Sequence, residues 1–236
     1  MNGFRLTLIL LSLLLLPGCA AREPRGSAVE GRSFRIQDLM KSDVDMVTEI
    51  QLRQIMESLK FLTDKLYRRN PKERLKGSSA SREVAVERIF GAGRRNGFPE
   101  LDGKREAESI RLAFDESYDG DRVLALAVGL RSMVMKGYNG KHSFYLTDEL
   151  DPQKLYNVAR NIEVAVWMLS HHRDSRGELF IISNELKGDI DNLSYERLFG
   201  KLIALQDSMA LIIAESSSRQ IKAVIQTVAS MVFIPI

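Results

Sequence analysis

Cysteine is the scarcest reactive residue in this 236-residue chain: there is one, at position 19, so internal disulfide bonds are excluded. An excess of one charge is also absent, because 34 Lys and Arg face 31 Asp and Glu, a formal net charge of +3. Neither a nucleic-acid-binding surface nor a polybasic membrane patch is therefore indicated. After residue 18, no uncharged apolar run reaches the roughly 18 residues of a membrane span, which excludes a protein with several transmembrane helices. The hydrophobic content of 44% excludes a disordered chain.

Residues 1–18 have the pattern of a secretory signal peptide. Arg5 supplies a positive charge, and the uncharged stretch from Leu6 to Leu16 follows it, too short to anchor stably across a bilayer. The segment Leu16-Pro17-Gly18-Cys19 comes next. It resembles the lipobox of bacterial lipoproteins, with Leu three residues before the cysteine and a small residue directly before it. Pro17 departs from the small residue that this motif usually has there.

The resemblance implies that residues 1–18 are removed and that Cys19 carries a diacylglyceryl group and an acylated amine. Three acyl chains would make attachment to the membrane effectively permanent, since one chain alone binds only weakly. Ala20 stands where lipoproteins retained in the inner membrane of enteric-type bacteria carry Asp. The resemblance therefore favours the outer membrane of a bacterial cell envelope over the inner one.

Residues 19–41 are polar and interrupted by proline and glycine, which predicts a lipidated N-terminus followed by a flexible tether. Residues 42–236 are then expected to form a single helical envelope domain. Apolar residues recur there at helical spacing, as in the series Leu52, Ile55, Leu59, Leu62 and Leu66. This spacing predicts a mainly α-helical bundle of about six to eight helices.

Helix boundaries are marked by capping residues and prolines. Predicted helices follow Ser42, Ser81, Gly120-Asp121, Asp151-Pro152 and Ser194, a short turn starts at Asn70-Pro71, and further helices cover 104–118 and 221–232. Residues 142–147 and 179–183 are candidate short strands, so that the bundle has at most a minor two-stranded element.

The three histidines, His142, His171 and His172, lack the spacing of zinc ligands, because no His pair at i and i+4 and no cysteine pair exists. Adjacent residues of a helix point about 100° apart, so His171 and His172 are poorly placed to chelate one ion. We predict no metal site and no cofactor, and a catalytic role for His142 or His171 belongs only to the alternative of an envelope enzyme.

Acidic residues surround Gly120 in the series Asp115, Glu116, Asp119 and Asp121. An EF-hand calcium loop requires Glu six residues after its glycine, and Leu126 stands at that position. The acidic cluster therefore favours a solvated turn between two helices.

The segment 91–97 is rich in glycine and contains Arg94 and Arg95. A dinucleotide-binding fingerprint would follow a strand and open a helix, whereas this segment follows a predicted helix and runs into Phe98-Pro99. We interpret it as a flexible loop, and Arg94 and Arg95 are the candidates for contact with an anion.

Besides the predicted signal peptide and lipidation site, the sequence has no recognisable set of catalytic residues. In particular, there is no Gly-x-Ser-x-Gly nucleophile elbow. The pattern favours a non-enzymatic module, attached to the membrane through acyl chains on Cys19 and binding a protein partner in the envelope, with no nucleic acid. The uncharged tail Met231–Ile236 is a candidate segment for docking on a partner or a second copy. Two alternatives stay open: an envelope enzyme with a dispersed active site acting on cell-wall or lipid material, and a lipid carrier with an apolar cavity.

Overall fold

The computed structural model describes residues 41–77, 79–91, 97–184, 193–218, 221 and 231–236. This part of the chain contains seven α-helices and no β-strand, which confirms the mainly α-helical prediction. The helices are α1 (Asp43–Arg69), α2 (Pro71–Lys76), α3 (Arg82–Phe90), α4 (Glu106–Ala113), α5 (Arg122–Gly137), α6 (Pro152–His171) and α7 (Ser194–Ser217), with one 3₁₀ turn at Pro99–Leu101.

The four longest helices form a closed ring of neighbours. Helix α1 packs against α5 and α7, and α6 packs against the same two helices from the other side. The predicted apolar series of α1, from Leu52 to Leu66, is buried along this ring. The short helices α2, α3 and α4 all pack against α5, so that α5 has neighbours on most of its surface.

The predicted capping residues start the helices as expected. The Ser42 hydroxyl accepts a hydrogen bond from the amide of Asp45, whose carboxylate accepts one from the Ser42 amide, forming a capping box. Asp121 and Asp151 accept hydrogen bonds from the amides of Leu124 and Gln153 at the starts of α5 and α6. The Ser194 prediction was off by one residue, because Ser194 is the first residue of α7 and Leu193 occupies the cap position.

Two helix predictions on other segments differ from the structure. The helix predicted over 104–118 ends at Ala113. The Arg122 guanidinium donates hydrogen bonds to the carbonyl oxygens of Ala113 and Asp115, at 3.0 and 2.7 Å, and so replaces the helical partners of these carbonyls. Of the helix predicted over 221–232, residues 222–230 lie outside the described residues, and Met231–Ile236 is not helical.

Neither candidate strand forms, because side chains distant in the sequence hydrogen-bond backbone groups that a strand would use. The amide of Phe144 donates to Glu49 at 3.0 Å, and the amide of Ile182 donates to Asn70 at 2.8 Å. Within the described ranges, the one β-type backbone pairing is an isolated antiparallel bridge between Arg173 and Leu179.

Helices α4 and α5 lie unusually close to each other at Gly129. A Cβ atom at this position would lie 2.6 Å from Cγ1 of Ile110 and 2.7 Å from the carbonyl oxygen of Glu106. The hydroxyl of Ser109 donates to the carbonyl of Ala125 at 2.7 Å across the same contact. Only glycine therefore fits here without movement of the α4 backbone.

Candidate interaction surface

A surface groove of about 700 Å³ lies where α1 and α3 run beside each other. Its apolar residues are Phe61 from α1 and Val84 and Val86 from α3. Val86 is buried, whereas 54% of Phe61 and 51% of Val84 are exposed to solvent. Large apolar side chains that share one groove and stay exposed are typical of a binding surface.

The exposure of Phe61 follows from its position on α1. Leu59, Leu62 and Leu66 belong to the apolar series that faces the core, and Phe61 lies outside that series. On α3, Ala85, Val86 and Ile89 are buried, and Val84 projects away from them. The two helices therefore bury their core faces and leave one apolar residue each at the groove.

Charged residues surround the apolar floor. The groove is lined by the carboxylates of Glu57, Asp64, Glu83 and Glu87 and by one ammonium group, that of Lys60. Arg82 beside the groove pairs with Asp64 at 2.6 Å, and Lys60 pairs with Glu87 at 2.9 Å, so these pairs connect α1 to α3. The pKa of Glu83 lies below its usual value, chiefly because its own backbone amide and the Ser81 hydroxyl hydrogen-bond the carboxylate. The lining is thus negatively charged at neutral pH.

This arrangement suits an amphipathic helix with basic residues beside its apolar stripe. An apolar floor accepts the stripe, and carboxylates along the rim favour lysine or arginine on either side of it. Sequence reasoning missed Phe61 and Val84 as surface residues. The available signal was their position one residue away from the apolar series on each helix.

The tail Met231–Ile236 contacts its own chain. The carbonyls of Ile234 and Pro235 accept hydrogen bonds from Asn161 and Asn157 of α6, at 2.7 and 2.9 Å. Phe233 is buried, and the Arg111 guanidinium lies 5.0 Å from its ring centre. The tail therefore occupies a cleft of its own chain, lined by residues of α4, α5 and α6. Asn157 and Asn161 were missed in the sequence, where two amides one turn apart on an apolar helix face were the available signal.

A buried acidic cluster lies at the start of α5. Oδ1 of Asp121 accepts from the amide of Leu124, and Oδ2 accepts from the Tyr67 hydroxyl at 2.8 Å. Burial raises the pKa of Asp121 to about 6, despite these hydrogen bonds, and the nearby charge of Glu73 acts in the same direction. Glu73 itself accepts from the amide of Arg122 at 2.8 Å. Both carboxylates thus bind the first turn of α5, which is a structural role.

The position of Asp121 corrects the prediction of a solvated acidic turn. Asp115 and Glu116 are exposed as expected, and Asp115 accepts from the amide and hydroxyl of Ser117. Asp121 is buried because it caps α5 beneath Tyr67. Within the described residues, no group of three or more His, Cys, Asp and Glu side chains could hold a metal ion.

Two of the three histidines, His171 and His172, lie against aromatic rings. His171 stacks on Trp167 with ring centres 4.8 Å apart, in the last turn of α6. His172 stacks on Phe180 at 5.6 Å and meets Phe114 edge-on at 5.9 Å. His142 is exposed in the segment between α5 and α6.

Three predicted site residues, Cys19, Arg94 and Arg95, lie outside the described residues. Among the helices that the structure does describe, none is both long enough and apolar enough to cross a membrane. Comparison of the chain with protein-family models, curated proteins and solved structures gave no match.

Proposed function

We propose that this protein is a lipoprotein of the bacterial cell envelope, anchored through acyl chains on Cys19, that acts as a non-catalytic interaction or assembly module. The signal-like pattern of residues 1–18 and the lipobox-like segment ending at Cys19 support the anchor. The outer membrane is the proposed location, on the basis of Ala20. The interaction role rests on one observation, the exposed apolar groove between α1 and α3.

The proposed partner is an envelope protein that presents an amphipathic helix with basic flanks. Burial of Phe61 and Val84 would supply affinity, because apolar area removed from water contributes about 25 cal/mol per Å². The four carboxylates of the lining would orient the helix and speed its association. The groove is already formed in the unbound chain, because α3 packs against α1 and two ion pairs connect them, and this limits the conformational cost of binding.

Site-specific photocrosslinking in cells tests the interaction. A benzophenone amino acid replaces Phe61 in one strain and Leu211 of α7 in another; Leu211 is exposed to a similar extent, at 60%, and lies outside the groove. We expect one discrete crosslinked protein from position 61 and none from position 211. Equal crosslinking from both positions, or none from position 61, would contradict the interaction role.

Acyl labelling of the same strains tests the anchor separately. The unmodified protein should incorporate a labelled fatty acid, and a Cys19→Ala variant should not, since the only thiol of the chain is then missing. A protein that fractionates with the membrane without incorporating the label would overturn the lipid anchor. The crosslinking result would still stand, because it does not depend on Cys19.

A further inference from the structure

The tail cleft recognises its occupant mainly through the peptide backbone. Asn161 donates to the carbonyl of Ile234 and accepts from the amide of the same residue, both at 2.7 Å. Asn157, one turn earlier on α6, donates to the carbonyl of Pro235 at 2.9 Å. Three hydrogen bonds between these two side chains and the main chain of Ile234 and Pro235 therefore hold the tail, which is not helical.

The two amides are buried, and this limits what can occupy the cleft. Asn161 is only 1% exposed, and both its oxygen and its nitrogen bond the tail. A buried amide that loses its partners is costly, so an empty cleft is unfavourable. Whatever displaces the tail must offer a carbonyl and an amide at the same spacing, which an extended peptide does.

The cleft is selective for one side chain of the tail, that of Phe233. Phe233 is 8% exposed and lies under the Arg111 guanidinium, whereas 57% of Val232 is exposed. A further volume of about 160 Å³ remains beside the tail, lined in part by Ala107 and Met133. The cleft thus fits an apolar peptide with an aromatic residue directly before the residue whose amide and carbonyl bind Asn161.

We propose that this cleft is a peptide-binding site that also takes its ligand in trans, and that this ligand is the tail Met231–Ile236 of a second copy of the chain. The tail of a second copy has the same complementarity to the cleft as the tail seen there. Exchange of identical segments between copies requires no new contact and is a low-cost route to pairs. In dilute solution the chain's own tail wins, because its local concentration is higher.

A fluorescent peptide with the sequence of residues 231–236 is the probe for the first test. Phe233→Ala in the full chain weakens the resident tail and leaves the cleft intact, so this variant should bind the peptide about tenfold more tightly than the unmodified chain does. Adding Asn161→Ala should abolish the gain. The control peptide has Ala in place of its Phe and should bind at least tenfold more weakly. No gain with Phe233→Ala, or a gain that survives Asn161→Ala, would overturn the proposal.

A second test uses two complementary full-length variants and native mass spectrometry. One carries Asn157→Ala and Asn161→Ala, which disables the cleft and frees the tail; the other carries Phe233→Ala. Mixed pairs should form between the two, and neither variant should pair with itself. Absence of mixed pairs would overturn the exchange between copies. If Phe233→Ala fails to fold, excess peptide added to the unmodified chain replaces the first test: it should bind there and should not bind the Asn161→Ala variant, and equal binding to both would overturn the proposal.

Discussion

The hydroxyl of Tyr67 donates a 2.8 Å hydrogen bond to Oδ2 of Asp121 and thereby connects the last turn of α1 to the cap of α5. Both side chains are buried. A hydrogen bond to a carboxylate in such a place is stronger than one between neutral groups, because little water competes for either partner. The contact fixes where α5 starts relative to α1.

Replacement of Tyr67 by Phe should lower the free energy of unfolding by about 2 kcal/mol at pH 7.5. The loss arises because Oδ2 of Asp121 keeps its buried charge and loses its donor. Denaturant titration followed by circular dichroism measures it. Tyr118→Phe is the matched control, since the Tyr118 hydroxyl is buried and has no hydrogen-bond partner among the described residues. The control should change stability by less than about 0.5 kcal/mol; equal losses in both variants would argue against the hydrogen bond.

The raised pKa of Asp121 predicts a stability that falls as the pH rises. Folding moves this pKa from 3.8 to about 6, chiefly because burial disfavours the charged form. The protonated carboxyl therefore stabilises the fold below about pH 4, and that contribution is lost as the pH passes 6. A shift of about two units corresponds to about 3 kcal/mol. Relative to Asp121→Asn, which does not titrate, the unmodified protein should lose most of that amount between pH 4 and 7.5.

Asp115→Asn provides the control of opposite sign for the pH series. Hydrogen bonds from the hydroxyl and amide of Ser117 lower the pKa of Asp115, so its ionised form favours the folded state. Relative to Asp115→Asn, the unmodified protein should gain stability as the pH rises from the acid range. The stability of the unmodified protein relative to Asp121→Asn and its stability relative to Asp115→Asn should therefore change with pH in opposite directions. The same pH dependence for both comparisons would contradict the two pKa shifts.

Gly129→Ala should destabilise the protein by about 2 to 3 kcal/mol. The added methyl group would lie 2.7 Å from the backbone oxygen of Glu106, so α4 would have to move away from α5. Gly200→Ala in α7 is the comparison, because nothing lies within 4 Å of a Cβ atom there. That variant should be more stable by about 0.5 to 1 kcal/mol, since alanine is the better helix former. Thermal melts of both variants check the contrast, and a stable Gly129→Ala protein would disprove the close approach.

Charge reversal at the groove should weaken partner binding without changing the fold. Glu57→Lys replaces one of the four lining carboxylates, at an exposed position in the middle of α1, so crosslinking from position 61 should decrease several-fold. Glu215→Lys near the end of α7 makes the same change in net charge at an exposed position outside the groove and should leave the yield unchanged. A partner that is captured equally well by both variants is not selected by the groove's charge.

The helix starts were predictable because the groups that make them are local. Ser42 and Asp45, or Asp121 and Leu124, are three residues apart, and their hydrogen bonds depend on little else. The strand predictions failed because distant side chains bind these segments. Asn70 accepts a hydrogen bond from the amide of Ile182 and donates one to its carbonyl, although the two residues are 112 positions apart. No pattern within either segment encodes such a pairing.

The candidate sites were less predictable than the fold for a similar reason. The position of Phe61 outside the apolar series of α1 accounts for its exposure, but the groove that it shares with Val84 also requires α3 beside α1, which the sequence of α1 does not specify. The tail has the apolar content of a core helix, yet Asn161 binds the amide and carbonyl of Ile234 and the tail is not helical. Local periodicity therefore overestimated helix at the end of the chain.

Helix α5 has a consequence for how the chain acquires its structure. Every residue from Arg122 to Leu130 is buried, with neighbours drawn from α1 to α4 on one side and from α6 on the other. Residues 122–130 thus have no side that is exposed to solvent in the folded chain. A nascent chain that stops before α6 leaves part of this apolar segment uncovered, so α5 can be fully covered only after translation has passed residue 171, and the ring closes only when α7 follows.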